Sequence, residues 1–76
     1  MKLEDFKNNK LTCLLKKSRS PLEVKIVEDL DDPYFFHIIM YRHKTKKVKS
    51  AEMIIRPDLP GWISYLGSLG YVEPKK

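Results

Sequence analysis

Tyr34-Phe35-Phe36-His37-Ile38-Ile39-Met40-Tyr41 puts aromatic and β-branched side chains on both of its alternating faces, with His37 as the one residue that is not hydrophobic. A strand buried on one side alternates apolar with polar residues, whereas a strand covered on both sides has no polar face to keep. The stretch is therefore predicted as a central strand over 34–41, and its neighbours are read outward from it. Upstream, Leu22, Val24 and Ile26 alternate with Glu23 and Lys25, the period of a half-buried strand over about 22–28. Glu28-Asp29-Leu30-Asp31-Asp32-Pro33 separates the two; it is rich in turn formers and ends in a residue that cannot donate to a ladder. Downstream, Arg42-His43-Lys44-Thr45-Lys46-Lys47 has no apolar residue and lacks the Gly or Asn of a two-residue hairpin turn, so a looser return is expected. Val48 to Ile55 then reads as a third strand, with Ala51, Met53 and Ile55 on one face and Ser50, Glu52 and Ile54 on the other.

Pro57 and Asp58 close that strand, and Asp58 is the expected N-cap of a helix running to about Leu69. Trp62, Leu66 and Leu69 recur on one helical face, although Gly61 and Gly67 each cost about 1 kcal/mol against Ala. Gly70 suits the left-handed residue after the helix, with Tyr71 packing back on the last turn. The first twenty residues allow two readings. Leu3, Phe6, Leu11 and Leu14 fit one wide helical face through Lys17, while Leu11, Cys13 and Leu15 alternate as a strand. The favoured reading is a short helix near 2–8, a strand near 11–16 and a hairpin loop over Lys17-Ser18-Arg19-Ser20-Pro21. Either way the fold class is α+β: an antiparallel meander of three to four strands packed against a C-terminal helix, with a short N-terminal helix. The expected core is Leu22, Val24, Ile26, Phe36, Ile38, Met40, Met53, Ile55, Trp62, Leu66 and Leu69.

Composition narrows the function classes. Seventy-six residues, 42% hydrophobic and 33% charged, make a single domain over 1–76 that is too apolar for a disordered tail. Cys13 alone forms no internal disulfide, and with His37 and His43 it falls short of a four-ligand zinc site, so neither metal nor cofactor is expected. No apolar run nears the roughly 20 residues of a membrane span, and Met1-Lys2-Leu3-Glu4-Asp5 lacks the character of a signal peptide. The expected setting is cytoplasmic, with no membrane partner.

Charge is laid out in blocks. Residues 1–20 hold six basic and two acidic residues, residues 21–41 one basic and five acidic, and residues 42–49 five basic and none acidic. Consecutive antiparallel strands send alternate loops to opposite ends of a sheet, so the loop at 42–47 and the loop at 17–21 share one end. Lys16, Lys17, Arg19, Arg42, Lys44, Lys46, Lys47 and Lys49 converge there with no carboxylate among them in sequence, and Lys75 and Lys76 are candidates to join them. Such a pole suits a polyphosphate, RNA or DNA. Tyr41, beside Arg42, either joins the core or stacks on a base.

A protein-binding regulator or inhibitor, of the size viruses and mobile elements encode, is the alternative. It would dock on an acidic protein partner, or on a second copy in a homodimer, through an open sheet edge or through Tyr65 and Tyr71 near the helix. An enzyme is the least favoured reading: six strand residues put His37 and His43 about 20 Å apart, too far to share a phosphate. If the N-terminus is one helix, the αβββα order is similar to the layout of double-stranded RNA-binding domains. Their basic run at the start of the last helix is replaced here by Asp58-Leu59-Pro60-Gly61, so the resemblance implies layout and no site residues.

Overall fold

The structure, a computed structural model, describes residues 2–74. The chain opens with a single 3-10 turn at Leu3–Phe6 and continues through β1 (Leu11–Lys17), β2 (Leu22–Glu28), β3 (Phe35–Arg42) and β4 (Val48–Ile55). A 3-10 turn at Arg56–Asp58 leads into the helix α1 (Leu59–Ser68), and a two-residue strand, β5 (Tyr71–Val72), ends the fold. All pairings are antiparallel, and the spatial order is β4-β3-β2-β1-β5. The three strands legible in the sequence are present, and the N-terminal ambiguity resolves to turn plus strand. Leu3–Phe6 is too short to be the first helix of a double-stranded RNA-binding layout.

The central strand is covered on both faces. On the helix side, Leu15, Val24, Ile26, Phe36, Ile38 and Ile54 meet Leu66 and Tyr71, with Trp62 and Leu59 packed against them. On the other side, Val27, Ile39 and Tyr41 lie under Leu3 and Phe6, with Val48 and Ala51 of β4 packed beside them. Asn9 fastens the N-terminal segment over this second face by donating from Nδ2 to the Glu28 carbonyl at 2.7 Å. The helix turns the chain back through Gly70, whose φ of 99° is open to a residue without Cβ, and Gly70 N–H donates to the Gly67 carbonyl at 3.0 Å. Tyr71 can then pair beside Lys17 on the outer edge of β1 while its ring joins Leu66 in the core.

Two expected core residues are on the surface. Met53 is 61% exposed and Leu69 42% exposed, while Ile54 takes the buried place in β4. The face assignment along β4 is correct, but α1 lies over the face carrying Ile54, and the N-terminal turn stops short of Met53. Leu69 lies just beyond the last helical residue, as the C-cap. Asp58 makes no side-chain cap hydrogen bond, because the turn before the helix already holds it in a helical conformation. Among the described residues, no helix is long and apolar enough to cross a membrane.

Candidate nucleic-acid interface

The β1–β2 and β3–β4 hairpins lie at the same end of the sheet and are joined there: His43 N–H donates to the Pro21 carbonyl at 2.9 Å. Both loops close through a cation in the left-handed region, Arg19 at φ 63° and Lys46 at φ 59°. These are the positive-φ residues other than glycine among those described, and each costs about 1–2 kcal/mol where Gly or Asn would be at ease. In the second loop the Lys46 N–H bonds the Arg42 carbonyl at 2.8 Å, and the Thr45 hydroxyl receives the Lys47 N–H at 3.3 Å. That is the looser return its sequence implied, and it fans Arg42, Lys44, Lys46 and Lys47 into solvent. Between the hairpins lies a cleft of about 340 Å³ bordered by Lys16, Lys17, Arg42, His43 and Lys44.

One carboxylate, unforeseen from the spacing, stands inside this pole. Glu23 projects from β2 with its side chain only 7% exposed, and its oxygens receive Lys16 Nζ at 3.1 Å, His43 Nδ1 at 2.6 Å and the Tyr41 hydroxyl at 3.2 Å. Burial alone would push the Glu23 carboxyl up; the hydrogen bonds from His43 and Lys16, with their charges, outweigh it and hold the carboxyl below its usual value. Since a carboxylate only accepts, His43 donates from Nδ1. Lys16 is neutralised by this pair. No carboxylate lies within ion-pair distance of Lys17, Arg19, Arg42, Lys44, Lys46, Lys47 or Lys49 among the described residues.

Two expected contact residues are withdrawn from the surface. Tyr41 is 1% exposed, and Lys25 and Lys46 place their ammonium groups over its ring at 5.6 and 5.7 Å, so no base can stack on it. Burial and the Glu23 charge raise its phenol pKa to about 12. Tyr71 is 6% exposed because it pairs with β1 and fills the core beside Leu66, which removes it as a protein contact. Tyr65 remains 55% exposed on α1. Lys75 and Lys76 lie outside the described residues.

Three cations join the pole without any signal in the sequence blocks. Lys2, Lys7 and Lys25 come together with Lys46 and Lys47 around a second cleft, of about 680 Å³, between the N-terminal turn and the sheet. Only the packing of the turn over β2 creates this neighbourhood, and the ambiguous reading of residues 1–20 could not supply it. At the opposite end of the sheet, His37 Nε2 donates to Asp29 at 2.7 Å. The His37 bond, with backbone N–H donors from Asp31 and Asp32, holds the Asp29 carboxyl low against the opposing effect of burial. The two histidines thus serve separate carboxylates at opposite ends. Among the described residues no group of three or more His, Cys, Asp or Glu is placed to hold a metal ion. Burial, with the Glu73 charge, raises the Cys13 thiol above its ordinary value, opposite to the shift of a reactive thiolate.

Compared with known families, curated proteins and solved structures, the chain matches none.

Proposed function

We propose that this is a small non-enzymatic protein that binds nucleic acid through the basic pole. The observation that carries the reading is the joining of the two hairpins by the His43–Pro21 hydrogen bond, which holds two lysine- and arginine-bearing loops as one surface. Seven cations there, Lys17 to Lys49, have no acidic partner among the described residues, and the one carboxylate in their midst is buried and already shared. Strained left-handed backbone at Arg19 and Lys46 supports the same reading, since such strain persists where the surrounding structure enforces it and collects at binding loops.

The test is fluorescence anisotropy with labelled RNA and DNA, single- and double-stranded, from low to physiological salt. If all seven cations engage a single strand, log affinity falls against log salt with a slope no steeper than about −5. Lys44→Ala, Lys46→Asn and Lys47→Ala together should flatten that slope by about 2. Asn at 46 preserves the left-handed turn. An unchanged slope in a folded triple variant would sink the assignment.

One observation favours a second reading, docking on a protein. Helix α1 carries no charged residue, in a chain that is 33% charged, and leaves Ile63 and Tyr65 exposed, with Leu69 exposed at its C-cap. Capture of a partner that survives nuclease and is lost in Tyr65→Ala would support it; release of all partners by nuclease would remove it.

A further inference from the structure

The cleft between the N-terminal turn and β2 combines apolar walls with a basic rim. Leu3, Phe6, Leu11 and Val27 form its walls, and Leu11 is 51% exposed. Lys2, Lys7, Lys25, Lys46 and Lys47 form its rim against a single acidic residue, Glu4. At about 680 Å³ it lies within the range of sites that hold small organic groups, roughly 300–1,000 Å³. Lys25 and Lys46 are held over the Tyr41 ring, at 5.6 and 5.7 Å, and among the described residues neither has a carboxylate within ion-pair distance. Like charges gathered on one rim raise the local potential for an anion.

Lys46 and Lys47 belong both to this rim and to the β3–β4 loop, so the cleft opens directly off the pole. A ligand that crosses from one to the other must be a polyanion carrying flat apolar groups at intervals. We propose that the cleft takes an unpaired nucleobase of a single strand whose phosphates run over Lys25, Lys46 and Lys47. A duplex keeps its base faces stacked and cannot offer one to the cleft, whereas a single strand can turn a base out against apolar side chains. The proposal rests on the nucleic-acid reading and adds strand type and a base-binding site to it.

The experiment compares three labelled 12-mers at physiological salt: a single-stranded oligonucleotide, its abasic counterpart with the same phosphates, and the duplex. Methyl chemical shifts of Leu11 and Val27 are followed by NMR, and dodecanoate is titrated separately. The single strand should bind about tenfold tighter than the abasic strand, the order of one stacked base, and should move both methyl signals. Leu11→Ser should lose most of that advantage and leave abasic binding unchanged. Methyl shifts in the unmutated protein report the cleft even if this variant is poorly folded. Equal binding of normal and abasic strands with silent methyls overturns the cleft assignment and leaves the pole standing. Absence of binding by any strand overturns both. Methyl shifts with dodecanoate but not with the oligonucleotide assign the cleft to an acyl anion and overturn the base site.

Discussion

Glu23→Gln separates what the buried carboxylate does for the fold from what it does to the pole. Glu23 accepts three hydrogen bonds at 2.6–3.2 Å with a side chain only 7% exposed. Glutamine keeps one acceptor oxygen and turns an NH₂ donor toward a donor. Hydrogen bonds to a buried charge contribute about 1.5–3 kcal/mol each. Two of these partners, Lys16 and His43, are themselves 45% and 56% exposed, so solvent screens most of their share. The expected loss is about 2 kcal/mol, or roughly 8–16 °C in Tm for a domain of this size. A chain of 76 residues has a total stability of about 4–11 kcal/mol, so the variant stays folded at 25 °C.

The pH dependence fixes the origin of the loss. Because the folded carboxyl is held below its unfolded value of about 4.3, the stabilisation is complete above that pH and disappears as pH falls through the folded value. Wild type and variant should therefore converge in acid. Binding should move the other way. Removing one negative charge about 10 Å from a phosphate contributes about 0.4 kcal/mol in water, close to a twofold gain in affinity. Calorimetry across pH and anisotropy at one salt concentration measure both. A Tm within about 2 °C of wild type at neutral pH, or a gap that persists undiminished in acid, would refute the ionic account.

Three further outcomes follow from the geometry. Tyr41→Phe removes the hydroxyl that donates to Glu23 and should cost about 1 kcal/mol in urea unfolding with oligonucleotide affinity unchanged; a fall in affinity would mean that the hydroxyl bears on the ligand and not only on Glu23. Gly70→Ala forces a Cβ into φ 99° against the Lys17 side chain at 3.4 Å and should destabilise by about 1–2 kcal/mol, so equal denaturant midpoints would show that the turn relaxes freely. The Asp29 carboxyl, followed by carbon NMR, should titrate below the ordinary 3.9 and rise in His37→Phe, with the backbone donors of Asp31 and Asp32 still in place; a wild-type midpoint at or above 3.9, or no rise in the variant, would contradict the hydrogen bond.

Much of the sheet was legible because side-chain alternation survives wherever one face is buried. The apolar run at 34–41 announced two covered faces, and Val27, Ile39 and Tyr41 supply the second. The expected core named the helix side correctly on β2 and β3 but took Met53 and Ile55 from the other face of β4, and it left out Val27, Ile39 and Tyr41, since nothing in Leu3 to Phe6 shows that so short a turn can cover a sheet. Strand β5 was invisible for a simpler reason: two residues, Tyr71 and Val72, carry no period. The basic pole followed from topology alone, as the direction of successive strands decides which loops meet. Glu23 and the rim lysines did not, because their neighbourhoods depend on packing across strands and over the sheet, which local spacing does not encode.

The two ends of the sheet also give the molecule a direction. Asp29, Asp31 and Asp32 occupy the β2–β3 turn, opposite the lysine loops and about 26 Å away for an eight-residue strand. A polyanion repels one end and attracts the other before any contact forms. The resulting torque turns the protein lysine-first toward such a ligand, and on the nucleic-acid reading proposed above a larger share of collisions would arrive in a productive pose than the net charge of +5 alone gives.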